Sequence, residues 1–80
     1  MHKVEVRVKL KPGVLDAEGE TVKKSLRLLG FDVDYVRTIK VYEIGMNKER
    51  KEEVLKEIED ACNKLLANPV IQDYEITVKD

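Results

Sequence analysis

The segment spanning residues 35–46, Tyr-Val-Arg-Thr-Ile-Lys-Val-Tyr-Glu-Ile-Gly-Met, constrains the fold more than any other part of the chain. It is rich in β-branched and aromatic residues and holds no Pro, Asn-Gly or Asp-Gly to turn it back, so it predicts one continuous strand. Strand side chains alternate between faces. Ile39 and Val41 therefore share one face and Val36, Tyr42, Ile44 and Met46 the other, and the apolar face changes near Lys40. About a dozen extended residues span on the order of 40 Å, too long for one small sheet. Taken from Val33 onward, such a ribbon cannot hide both sides within one copy. It predicts two halves in different surroundings, one of them supplied by a second copy of the chain.

The flanking segments divide more simply. Val4, Val6, Val8 and Leu10 alternate with charged residues as a half-buried strand that Pro12-Gly13 ends. Asp16 is placed to cap a first helix, with Leu15 as a hydrophobic staple and Val22, Leu26 and Leu29 as its apolar stripe. Gly30 supplies the stop, while Gly19 in the first turn implies either fraying or a close contact. Asn47 is the expected cap of a second helix whose stripe is Val54, Leu55, Ile58, Ala61, Cys62, Leu65 and Leu66. Two i,i+4 pairs, Glu52 with Lys56 and Asp60 with Lys64, support it. Asn68-Pro69 ends that helix, and Val70, Tyr74, Ile76 and Val78 alternate as a last strand.

The order is strand, helix, long strand, helix, strand, with both helices expected to cover the sheet. That predicts a single domain over residues 1–80: an α+β two-layer sandwich with an antiparallel sheet. Its β-α-β(β)-α-β order is related to the ferredoxin-like fold, and without a turn in the long strand the expected form is a segment-exchanged dimer. Eighty residues are near the lower limit for a self-sufficient core. Fifteen basic against sixteen acidic side chains leave no basic excess for a nucleic-acid backbone. One Cys excludes an intramolecular disulfide, and there is no apolar run long enough for a signal peptide or membrane span, so the expected location is cytoplasmic.

Catalytic chemistry finds little support. His2, the only histidine, lies at an expectedly frayed terminus, which disfavours a metal or general-base role. Cys62 falls on an apolar stripe and reads as a small buried hydrophobe, not a nucleophile. Asp32 and Asp34 read as turn residues, and no glycine pattern forms a phosphate cradle. No catalytic, cofactor-binding or metal residue is assigned. Arg37 and Lys40, on opposite faces of the long strand, are either solvated edge charges or groups that meet carboxylates or a phosphate at a subunit contact.

Three stretches carry a family resemblance. Val14-Leu15-Asp16 with Gly19 resembles a VLDxxG pattern, and Val36-Arg37 with Lys40 resembles VRxGK. Residues 64–74, Lys-Leu-Leu-Ala-Asn-Pro-Val-Ile-Gln-Asp-Tyr, are similar to KLLANPVIEDY. Together they resemble the PurS family, the small subunits of phosphoribosylformylglycinamidine synthase. Ala17 and Ile39 depart from the family's usual Pro and Gly. The resemblance implies a part in de novo purine synthesis, where formylglycinamide ribonucleotide, glutamine and ATP give formylglycinamidine ribonucleotide. It implies a large synthetase subunit that uses ATP and Mg, a glutaminase subunit that releases ammonia, and a small subunit without cofactor or catalytic residue. The small subunit would pair with itself as a dimer, or a tetramer in some members, and bridge the other two so that ammonia passes between active sites. On that basis Arg37, Lys40, Asn68, Asp73 and Tyr74 are the expected subunit-contact or shape residues, with Asn68 and Pro69 also explicable as a helix stop. A different class of function fits the fold as well: a stand-alone ferredoxin-like regulatory module that binds a small ligand at its dimer interface.

Overall fold

Alternation of valine with charge places β1 (His2–Leu10) at the centre of a three-stranded antiparallel sheet in the computed structural model, which describes residues 1–79. β2 (Ile39–Met46) pairs on one side of it and β3 (Gln72–Lys79) on the other. The register sets Val4 between Ile44 and Val78, and Val6 between Tyr42 and Ile76, so one face of the sheet is continuous in apolar residues. α2 (Lys51–Ala61) lies over that face. Val54, Ile58 and Cys62, spaced by four, bury against Val4, Val6 and Val8. The opposite face carries Lys3, Glu5, Arg7 and Lys9 on β1 and Asp73, Glu75, Thr77 and Lys79 on β3. There Lys79 Nζ donates to Glu5 Oε2 at 2.6 Å.

Three turns follow the sequence closely. Val14 N–H donates to the Lys11 carbonyl (3.1 Å), with Gly13 at φ +87° as a Pro-Gly type II turn requires. α1 (Ala17–Leu28) is capped by Asp16. It ends in a Schellman motif, with Phe31 N–H donating to the Leu26 carbonyl, Gly30 N–H to that of Arg27, and Gly30 at φ +94°.

Several expectations are corrected. Regular strand begins at Ile39, so residues 35–38 are not part of the sheet. The register would set Thr38 opposite Leu10, the last residue of β1, but the Thr38 N–H turns to Asp16 instead. Among the described residues no hairpin forms at Ile39 and no fourth strand is made. α1 does not cover the sheet: Val22 is 42% exposed, Leu29 74%, and Gly19 alone is buried within the helix. Leu15 is 76% exposed and staples nothing. The N-cap position of α2 is Arg50, not Asn47, and no side chain bonds there. His2 is not frayed, being the first paired residue of β1, with its ring Nε2 3.0 Å from the Glu49 carbonyl. Lys64 pairs with Asp60 at 2.9 Å, whereas Glu52 and Lys56 do not pair. Val70 lies in a turn before β3, because Asn68 Oδ1 accepts from its N–H (3.0 Å) and folds the chain there.

The end of α2 also departs from ideal helix. Residues Cys62–Leu66 form a π turn, closed by Ala67 N–H on the Cys62 carbonyl at 2.9 Å. The wider turn takes Leu65 off the stripe, leaving it 82% exposed, and brings Ala67 into the core. Ile58→Ala is therefore expected to lower the unfolding free energy by about 3 kcal/mol, and Leu65→Ala by less than about 1 kcal/mol. Urea denaturation of both variants tests this. Equal losses would mean that an ordinary α-helical stripe continues past Cys62.

Candidate functional site

With α1 off the sheet, the chain divides into a body (the sheet and α2) and an arm (α1 and the segment returning from it). Between β1 and β2 the chain leaves the body through residues 11–16 and comes back through residue 38. The return segment runs antiparallel to α1 and is strapped to it at intervals. Arg27 Nε–H donates to the Val33 carbonyl at 3.0 Å. Further along, the Val36 carbonyl lies against Gly19, where a Cβ would come within 2.7 Å of that oxygen. At the neck Asp16 bonds twice: Oδ1 accepts from Gly19 N–H (2.9 Å) and Oδ2 from Thr38 N–H (2.6 Å). The Thr38 bond, then the Gly19 bond and the nearby Arg37 charge, hold the Asp16 carboxyl below its usual range despite partial desolvation.

The neck also gathers three of the five residues expected at subunit contacts. Arg37 and Asp73 line one cleft of about 200 Å³ together with Lys9, Lys11 and Asp16. The Arg37 guanidinium stands 5.7 Å from the Tyr35 ring centroid, an exposed cation–π contact. Lys40 borders a second cleft of about 170 Å³, with Asp16, Glu18, Thr38 and Gln72. Asn68 and Tyr74 serve the fold. The Asn68 backbone N–H donates to Gln72 Oε1 and its carbonyl accepts from Gln72 N–H, so the residue closes its own turn. Tyr74 is half-buried and packs against the core from β3.

The larger feature of this region is its uncovered apolar surface, which sequence reasoning expected on the long strand but not on α1. Leu28 is 88% exposed and Tyr35 69%, with Phe31 between them in sequence also exposed. Ile39 and Val41 join them on the face of the sheet away from α2. The available signal was Gly19. A poor helix former in a first turn marks a close backbone approach, and the strand that approaches is the one expected to lie in the sheet.

Cys62 is fully buried, and desolvation pushes its thiol up, away from the reactive thiolate. Among the described residues no group of three or more His, Cys, Asp or Glu could hold a metal ion. No helix among them is long and apolar enough to cross a membrane. What the geometry offers is surface: an apolar arm and a charged neck.

Comparison with known proteins gives a consistent result. The family model described as PurS, phosphoribosylformylglycinamidine (FGAM) synthase, matches residues 3–80. The phosphoribosylformylglycinamidine synthase subunit PurS of Methanocaldococcus jannaschii is 51% identical over 80 residues, covering 99% of this chain and 96% of that one. The crystal structure of PurS from that organism superposes with a TM-score of 0.91, over 100% of this chain and 98% of that one. A chain of the PurLQS structure from Thermotoga maritima, 32% identical, superposes with a TM-score of 0.89 over 98% and 96% of the two chains.

Gly19→Ala separates helix propensity from the strap. In an unconstrained helix the change would add up to about 1 kcal/mol of stability. Here the new methyl displaces the Val36 carbonyl, so trypsin should cut after Arg37 several-fold faster in the variant than in the parent chain. An unchanged cleavage rate would mean that the return segment does not rest on Gly19.

Proposed function

The chain belongs to the PurS family of phosphoribosylformylglycinamidine synthase, and from that premise we propose that it is a non-catalytic assembly subunit whose arm is its contact surface. The observation that carries this reading is excess surface. The chain exposes 6245 Å² for a mass of 9.2 kDa, where a compact monomer of that mass exposes about 4,900 Å². Its radius of gyration is 16.0 Å, against about 12 Å for a compact domain of this length. The difference in area exceeds the roughly 800 Å² that each partner buries in a standard interface. Much of it is apolar and lies on the arm, so a partner gains where the isolated chain loses.

The first partner is a second copy. One helix about 10 Å wide does not cover three strands set about 4.8 Å apart. α2 leaves Tyr42, Ile44 and Met46 of β2 only half-buried, as it does Tyr74, Ile76 and Val78 of β3. The Val22, Leu26 and Leu29 stripe of a partner's α1 would complete that layer, giving two helices over each sheet by exchange of arms. The paired subunits then hold a glutaminase subunit against a synthetase subunit, and ATP and magnesium act on the latter. Sheltering the route between them has a chemical purpose: ammonia that reaches water is protonated and lost as a nucleophile. The reaction belongs in the cytoplasm, which suits a lone thiol kept reduced and buried.

Sedimentation of the double variant Val22→Lys, Leu29→Lys tests the arm. The parent chain should run as a dimer or larger at micromolar concentration and the variant as a monomer that no longer joins glutaminase and synthetase. A parent chain that sediments as a monomer of compact dimensions would overturn the reading. In the same reconstitution Arg37→Ala is expected to leave the dimer intact and to lower glutamine-dependent turnover by weakening the contact at the neck. Unchanged turnover with unchanged complex formation would remove Arg37 from that contact.

A further inference from the structure

The arm meets the body at one polar contact, and that contact has an unusual division of labour. A helix N-cap needs one oxygen to accept an orphan N–H of the first turn. Asp16 meets that need with Oδ1 on Gly19. Its second oxygen reaches Thr38, 22 residues away in sequence and adjacent to the first residue of β2. A single carboxylate thus joins the outgoing chain, the start of α1 and the returning chain at one point. Among the described residues no other hydrogen bond or ion pair crosses the neck. The remaining hydrogen bonds of the return segment, Arg27 to the Val33 carbonyl, Phe31 N–H to that of Leu26 and Val33 N–H to that of Phe31, lie wholly within the arm, and Lys11 N–H donates within the body, to the Ile71 carbonyl. The chain on the outgoing side includes the Pro12-Gly13 turn, where a Cβ on the glycine would meet open space.

We propose that Asp16 is a positioning residue for assembly: by bonding Gly19 and Thr38 together it sets the angle at which α1 leaves the sheet, and so presents the arm to its partner in one orientation. The proposal rests on the reading of the arm as contact surface. In energetic terms the bond matters through preorganisation. An arm free to swing about residues 11–16 and 38 would lose that freedom on binding, at the expense of affinity. A bond from an ionised carboxylate to a backbone N–H is among the stronger single contacts available to hold it. Gly19 belongs to the same device, since its missing Cβ lets the Val36 carbonyl pass and brings Thr38 within reach of the carboxylate.

Asp16→Asn isolates the latch from the cap. The amide keeps one oxygen for Gly19 N–H, but its NH2 group cannot accept from Thr38. Asp16→Ser, with one hydroxyl in place of two oxygens, does the same by another route. Amide hydrogen exchange of the full chain should show Thr38 exchanging about tenfold faster in both variants, with Gly19 little changed. Spin labels attached through Ser25→Cys on α1 and Thr77→Cys on β3, in protein diluted with unlabelled chain, should give one narrow distance distribution for Asp16 and a broad one for either variant. Association with glutaminase and synthetase should weaken in step. Unchanged Thr38 exchange, or an unchanged distance distribution, overturns the latch. A broadened distribution with full-strength association upholds the latch and overturns the reading of the arm as contact surface.

Discussion

Val4, Val6 and Val8, set against Val54, Ile58 and Cys62, form the interior on which the rest of this chain depends. All six are essentially inaccessible to solvent, and they come from β1 and from α2 with the π turn that continues it, 40 or more residues away in sequence. β1 is the middle strand, so its valines are closed in by β2 and β3 at the sides and by α2 above. Such a core is small, and a chain of 80 residues has little else with which to offset the entropy of ordering. The consequence is that the body folds around one helix, and the other helix is left for a different use. An amphipathic stripe placed outside the core is not wasted order. It is apolar area left available for burial against a partner.

The arm shows how such a stripe is kept in shape while uncovered. α1 is stopped by a Schellman motif, strapped by Arg27 on Val33, and pinned at its start by Asp16. Each of these is a directional contact. None buries much apolar area, so the arm is held by hydrogen bonds and the body by packing. Directional contacts set geometry well and contribute only about 1 kcal/mol each to stability. That combination suits a surface that must be presented in a defined orientation and stays exposed until bound.

How much of this could be read from the chain depends on what each residue type reports. Strict valine alternation reports β1 directly, because no other local structure satisfies it. Gly30 reports the end of α1, since only glycine accepts that backbone angle without strain. The stripe of Val22, Leu26 and Leu29 reports that a face needs cover, but not whether the cover comes from its own sheet. Strand propensity misled at residues 35–38 for a related reason. Those residues are well suited to extended backbone, but pairing needs a neighbour, and β1 has ended at Leu10. The π turn was illegible because it is a matter of which carbonyl Ala67 N–H finds, and no side chain marks it. Of the residues expected at contacts, Arg37 and Asp73 share one cleft at the neck and Lys40 borders another. Asn68 and Tyr74 were marked by the same family-like run, yet their side chains are engaged in a turn and in the core.

The positions of the charges complete the division between body and arm. On the outer face of the sheet several charges find an opposite charge within the chain, Lys9 opposite Asp73, Arg7 opposite Glu75 and Lys79 bonded to Glu5. Such pairs are largely content with water and with each other. At the neck the balance is different. Arg37 lies over Tyr35, Lys40 projects beside Asp16, and both border clefts open to solvent. Charges flanking an apolar contact surface contribute less to affinity than to register and partner choice, because a misplaced partner leaves them facing like charge or nothing. Apolar area on α1 would therefore supply the drive to associate, the Asp16 latch the orientation, and the charges around the neck the selection of which surface is accepted. Each of the three can be altered by substitution without touching the valines that keep the body folded.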